Sequence, residues 1–289
     1  MNNFQLGQDS KITGTSVEID DSVVIGKNVQ INCDSLKIGK FGSIGDNVKI
    51  TCKSLEVGDW LYMCEGVEIG RGGCTGPNSN VKIGDHVGIF ERTIINPSES
   101  VEIGDDVGIG GEVMIWTHGA WLDVTQGFPS DFGPVKIGNN VWLPARSIVL
   151  PNVTIGDNTV IGIGSIINRD IEGGCFAAGS PCKVLKENCY PRKLNKNERK
   201  ELIENILKDW KNLLDDKNIY SVKTEYEDGK IYLTEALDGG GNASIFNLDK
   251  KVIEVGEGNV VEDLRDYLRR RGIKIYTDKP FKSIKPEWL

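Results

Sequence analysis

The stretch that decides the fold runs V-E-I-G-D-D-V-G-I-G-G-E-V-M-I-W-T-H (101–118), then a polar loop, then P-V-K-I-G-N-N-V-W-L-P-A-R-S-I-V-L-P-N-V-T-I-G-D-N-T-V-I-G-I-G-S-I-I-N-R-D-I (134–171). An apolar residue returns at every sixth position. That period is neither helical nor simply alternating. It fits a chain that lays down a short strand, turns a corner and repeats, with one aliphatic side chain per strand pointing into a narrow prism. Such coils bury their apolar face only against the next coil, so several must stack. The fold expected is therefore mainly β, a parallel β-helix of about seven coils.

Working outward, the inward triplets are Ile19, Ile25, Ile31; Ile38, Ile44, Ile50; Val57, Met63, Ile69; Ile83, Ile89, Ile95; Ile103, Ile109, Ile115; Ile137, Leu143, Val149; and Ile155, Ile161, Ile167. Residues 1–18 read as a partial capping coil. Gly follows several of these positions, as in Ile25-Gly26 and Ile155-Gly156, where a tight corner is expected to need positive φ. The rhythm breaks only between triplets. The step from Ile69 to Ile83 is eight residues too long and that from Ile115 to Ile137 sixteen too long. All insertions therefore leave from one corner of the prism. Loops on a rigid scaffold are where binding groups collect, and His118 opens the longer loop. His86, in I-G-D-H-V, falls at a corner that other coils fill with Asn or Asp and reads as a solvated turn residue. Glu91, Asn96 and Glu112 lie on neighbouring coils, either lining an acceptor site or as surface polar residues.

Composition bounds the function. The chain has 289 residues, enough for two domains, and a net charge of −8, which speaks against a general nucleic-acid binder. No run of about 18 apolar residues predicts a membrane span and no N-terminal apolar run predicts a signal peptide. A cytoplasmic protein is expected. Seven cysteines without a CxxC read as free thiols. Cys33 and Cys52 sit in matching segments and should stack one coil apart.

The segments T-H (117–118), P-V-K-I-G-N-N-V-W (134–142), V-T-I-G-D-N-T-V-I-G-I-G-S-I-I-N-R-D-I (153–171) and A-A-G-S-P-C-K-V (177–184) resemble the hexapeptide-repeat acyltransferases, and among them the galactoside, maltose and polysaccharide O-acetyltransferases. The resemblance implies a left-handed parallel β-helix, acetyl-CoA as acyl donor with no metal, and a homotrimer whose site lies between neighbouring prisms. It implies His118 as the general base on an acceptor hydroxyl. An imidazole, which ordinarily titrates near pH 6.5, suits that task. It implies Trp142 beside the pantetheine arm and Ala145, Ile163 and Gly164 along its channel. It further implies Asn168, Arg169 and Lys183 near the adenine and phosphates, with Lys186 extending the patch. Ile163 stands where the family usually has Ala, and Pro144 where it usually has Gly. The function so implied is O-acetylation of a sugar hydroxyl, on a small-molecule or polysaccharide acceptor. N-acetylation of a nucleotide-linked amino sugar and a catalytically inert scaffold are the alternatives. A γ-type carbonic anhydrase needs three zinc histidines, and this chain has two histidines.

Beyond Lys186 the rhythm stops. The division expected is a β-helix over 1–190, a linker and helix over 191–217, and a small α+β domain over 218–289. Asn195-Lys196-Asn197-Glu198 reads as a capping box opening a helix to about Asp215, whose apolar stripe faces the prism or a neighbour. Strands are expected at 221–226, 230–235, 244–247, 251–255 and 273–276, a hairpin turn at Asp228-Gly229, and a helix over 260–271. Gly239-Gly240-Gly241 reads as a flexible loop.

Overall fold

The computed structural model describes residues 4–235, 243–286 and 288. The glycine run at 239–241 lies outside them. The chain divides after Arg192 into two compact units.

The first unit is a parallel β-helix with three faces. On the first face Leu6, Ile25, Ile44, Met63, Ile89, Ile109, Leu143, Ile161 and Ala177 follow one another in strand register. The second face stacks Ile12, Ile31, Ile50, Ile69, Ile95, Ile115, Val149 and Ile167. The third stacks Ile19, Ile38, Val57, Ile83, Ile103, Ile137, Ile155 and Ile171. Every expected inward residue from Ile25 to Ile167 is buried in one continuous core, with Ile19 packed partly buried against it. The turns number nine rather than seven. An extra one opens the helix at Leu6 and Ile12, where the spacing to Ile19 stretches to seven. Another closes it at Ile171, Ala177 and Cys182, where the step from Ile167 to Ile171 shrinks to four, so a strict six-residue count misses both. After the last rung, Lys183–Lys186 doubles back antiparallel on Phe176–Ala178.

The corners differ from expectation in their chemistry. Gly26 and Gly156 do not take positive φ. The left-handed residue comes two places later, at Asn28 (φ 54°) and Asn158 (φ 57°), and the same position holds Asn47, His86, Asp106 and Asn140. Asn and Asp tolerate this conformation better than other side chains. Gly26 is needed for close approach instead. The next coil's Asp46 carboxylate accepts a hydrogen bond from Lys27 N at 2.7 Å, and a Cβ on Gly26 would lie 2.4 Å from Asp46 Oδ1. The same kind of contact recurs down the corner that follows the third face, from Asp59 N to Asp85, Asp85 N to Asp105, Asp105 N to Asn139 and Asn139 N to Asp157. Each turn's backbone donor is thus satisfied by the side chain below. Cys33 and Cys52 stack one coil apart, with Sγ atoms 3.4 Å apart.

The second unit packs helix α1 (Lys196–Lys211) and helix α2 (Asn259–Arg270) on a four-stranded antiparallel sheet of Val222–Glu227, Lys230–Glu235, Ser244–Asn247 and Val252–Val255. The capping box at Asn195 and Glu198 forms. The apolar stripe of α1, expected to face the prism or a neighbour, packs within its own unit. Ile203, Ile206, Leu207 and Trp210 join Ile231, Leu233, Phe246, Leu264 and Leu268 in this unit's own core. The Asp228-Gly229 hairpin is present with both residues at positive φ. Residues 273–276 form no strand. Their backbone is held by a side chain instead, Arg265 Nη1 donating to the Ile275 carbonyl at 3.2 Å. No helix among the described residues is long and apolar enough to cross a membrane.

Gly156→Ala tests the close-approach reading. Its Cβ would lie 2.5 Å from the backbone nitrogen of Gly173, and overpacking of this kind costs about 1–3 kcal/mol. A urea denaturation midpoint unchanged from that of the native chain would refute it.

Candidate active site

Both long insertions leave the corner that follows the second face, as the spacing requires: one after Ile69, the other after Ile115. Between them, on the intervening coil, Asn96 ends the strand Ile94–Asn96 and is fully buried, with 0% exposure. Its amide nitrogen donates to the Gly70 carbonyl at 2.8 Å and the Gly72 carbonyl at 3.0 Å, and lies 3.4 Å from Cys74 Sγ. Carbonyl oxygens only accept, so these contacts fix which end of the amide is which. Asn96 Oδ1 therefore faces His118 Nδ1, 2.7 Å away. An amide oxygen only accepts, so Nδ1 must carry the hydrogen. In the neutral ring, Nε2 is then left as the proton acceptor.

The surroundings hold the ring in place. Thr117 is buried; its hydroxyl donates to the Asn96 carbonyl at 2.7 Å and accepts from Glu99 N at 2.9 Å. The long loop folds back so that His118–Gly119 pairs antiparallel with Asp131–Phe132. This stacks Phe132 on the imidazole with ring centroids 5.5 Å apart, while Trp116 meets it edge-on at 6.4 Å. Over the open edge of the ring lies Gly73 at φ 85°. A Cβ there would come within 3.3 Å of His118 Cε1 and 3.5 Å of Nε2.

The other sequence-derived candidates divide between this corner and the first face with the corner after it. Asn96, expected to line an acceptor, is buried beneath His118 and holds it. Glu91 and Glu112 lie at the corner between the first and second faces, away from the His118 corner of the same chain. Glu112 is clasped from both sides, by Arg92 at 2.8 Å and Arg146 at 2.7 Å. These two guanidiniums hold its carboxyl below the usual range. Ala145, Ile163 and Gly164 lie at that same corner, with Gly164 N donating to the Ala145 carbonyl at 3.1 Å. Ile163 is 74% exposed, and Trp142, on the outward side of the first face, is 58% exposed. The indole neighbours Gly108 of the preceding coil, where an added Cβ would lie 3.7 Å from its Cδ1, an ordinary contact. Asn168 and Arg169 follow the second-face strand at Ile166–Ile167, and Lys183 follows Cys182, whose backbone nitrogen donates to the Ile166 carbonyl at 2.7 Å. All three are exposed. Sequence reasoning missed the Gly70–Cys74 segment. One signal could have found it: two insertions at one corner, two coils apart, must lie above one another.

Comparison with known proteins agrees with this architecture. Residues 134–169 match the bacterial transferase hexapeptide family, described as six repeats. A galactoside O-acetyltransferase of Escherichia coli K12 is 54% identical over 54 residues, 19% of this chain and 27% of that protein. A putative acetyltransferase of Saccharomyces cerevisiae is 39% identical over 125 residues, 42% of this chain and 63% of that one. The β-helix of this chain is similar to hexapeptide-repeat acetyltransferases over part of its length. The matches thus span between about a quarter and just under two thirds of these curated relatives. Among solved structures, a galactoside acetyltransferase in complex with coenzyme A is 25% identical, covering 62% of this chain and 70% of that one with a TM-score of 0.32, a likeness too loose to place side chains. The family match covers residues 134–169, the coils that follow the His118 loop.

Two outcomes check the site's geometry. In nitrogen NMR of the neutral state, His118 should show a protonated Nδ1 and a bare Nε2; the opposite tautomer would contradict the Asn96 contact. Burial pushes the Cys64 and Cys74 thiols up to about 11, and the thiolate is the reactive form. Iodoacetamide at pH 8 should therefore modify the more accessible Cys189 first and leave Cys64 and Cys74 intact, as read by peptide mass mapping. Labelling of Cys74 as fast as Cys189 would show that the glycine-rich segment does not stay closed over Asn96.

Proposed function

We propose that the protein is an acetyl-CoA-dependent O-acetyltransferase acting on a sugar hydroxyl, with His118 as general base. The observation that carries this reading is the Asn96–His118 contact. A histidine held at Nδ1 by a buried amide, with Nε2 on the ring edge beside Gly73, is arranged to accept a proton from a hydroxyl. Asn96 stabilises the charged ring that results, since its oxygen faces the Nδ1–H dipole in both protonation states. Phe132 and Trp116 restrict the ring's rotation, so the accepting nitrogen does not wander. Such a base supplies about 10²–10⁴-fold in rate, and holding both reactants together supplies much of the remainder.

The residues at the second corner fit an elongated donor of this kind. A Cβ at Gly164 would meet nothing within 4 Å, so the corner is open. Trp142, on the first face, offers a flat apolar wall, and Arg169 and Lys183, beyond the second-face strands of the last coils, offer charge to phosphates. Exposed Ile163 makes this channel bulkier than an alanine would. Bound there, acetyl-CoA would supply an acetyl group activated as a thioester. The chain's own residues position it and receive the acceptor's proton at His118 Nε2.

His118 and Trp142 project from different sides of one prism, so a single copy does not present both to one ligand. A homotrimer, in which the His118 corner of one copy faces the Trp142 side of the next, resolves this. The acceptor is a small glycoside or a polysaccharide, and the reaction is placed in the cytoplasm.

His118→Ala should reduce acetyl transfer at least about 100-fold while calorimetric binding of acetyl-CoA is retained. Activity within threefold of the native chain would remove His118 from the mechanism. Absence of acetyl-CoA binding at millimolar concentration would favour an inert scaffold. A screen of sugars against nucleotide-linked amino sugars decides between oxygen and nitrogen acceptors, and faster turnover of the amines would overturn the O-acetylation reading.

A further inference from the structure

Residues 265–285 carry eight Lys and Arg against two Asp, within a chain of net charge −8. The structure folds this segment beside a cleft of about 480 Å³ in the second unit, whose charged lining is Lys217, Asp266, Arg269, Arg270, Lys282 and Lys285. Its volume is in the range of small-ligand sites.

The charge at the cleft can be followed residue by residue. Lys217 is already matched: its Nζ lies 2.7 Å from the buried Asp263, which also accepts from Trp210 Nε1 at 2.9 Å and from Ile284 N at 2.7 Å. Asp266 is shared between two guanidiniums, Arg269 Nη2 at 2.8 Å and Arg270 Nη2 at 2.7 Å. Lys282 and Lys285 are exposed and pair with no carboxylate among the described residues. Four cations against one carboxylate leave an excess of three positive charges around one small volume.

That excess is held in place. Arg265, fully buried, donates to the Lys279 carbonyl at 2.9 Å and the Pro280 carbonyl at 2.7 Å. It also covers the Phe281 ring at 4.3 Å. These contacts pin the tail that carries Lys282 and Lys285 against helix α2, which carries Arg269 and Arg270. Like charges fixed together repel, and an anion bridging them relieves the repulsion. Arginine pairs match the oxygens of phosphate in a fork-like geometry. The Phe281 ring is already occupied by Arg265 and, at 5.2 Å, by Arg269, so the cleft offers charge rather than a stacking surface.

We propose that this cleft binds a small diphosphate-bearing ligand through Arg269, Arg270, Lys282 and Lys285. The inference stands apart from the reading of the β-helix. Calorimetry of the full chain with inorganic pyrophosphate should give a submillimolar Kd that weakens as ionic strength rises. The double substitution Lys282→Gln and Lys285→Gln should weaken it at least tenfold, with the melting temperature little changed because neither side chain holds a described contact. Uridine diphosphate should bind within threefold of pyrophosphate, since the base has nothing to stack on. Absence of heat with pyrophosphate, equal affinity in the double variant, or equal binding of sulfate at matched ionic strength would each overturn the proposal. So would loss of binding in Arg169→Gln with none in the double variant, which would put the anion on the β-helix.

Discussion

Each coil of this β-helix can bury its inward aliphatic side chain only against the coil before it and the coil after it. Everything else in the first unit depends on that restriction. It aligns the three rows of isoleucines, and the rows in turn force the corners into vertical register. Register gives a side chain on one coil a fixed partner on the next, as in the ladder of Asp carboxylates that accept backbone hydrogen bonds from the turn above. A residue at a corner is thereby positioned to within a fraction of a strand spacing, although the chain there has no regular structure of its own.

The His118 site exploits the same register. Its three layers come from three successive coils: glycine carbonyls from one, the buried amide of Asn96 from the next, and the imidazole from the third. None of these layers is unusual alone. Together they set which ring nitrogen bears hydrogen, the property that separates a proton acceptor from an inert histidine. The second corner, with Trp142, Ala145 and Gly164, is built differently. Ala145 and Gly164 are small there, while Ile163 and the Trp142 indole stand exposed.

Much of the fold could be read from the six-residue period, because one inward residue per strand leaves an unmistakable spacing. Its ends could not, because the steps around Ile12 and Ile171 depart from six. The glycines after Ile25 and Ile155 were legible as important and illegible in cause: crowding between coils, not backbone conformation, requires them. His118 stood out by its place at an interruption, whereas the role of Asn96 was hidden. Its partners lie 21 and more residues away in sequence, and only stacking makes them neighbours. In the second unit the Asp228-Gly229 hairpin was plain from local turn chemistry. The 273–276 segment looked like a strand, but the side chain of Arg265 claims its backbone.

The reversal at Lys183–Lys186 has a consequence for how the column ends. A parallel stack presents an open row of peptide groups at its last rung, and a second molecule could add its own first rung there and so on without limit. Here the chain itself lies across that row in the opposite direction and places a lysine at each end of the added strand. Edges blunted in this way resist further pairing. Growth into a fibre is thus closed off at the base of the column by the same polypeptide that built it.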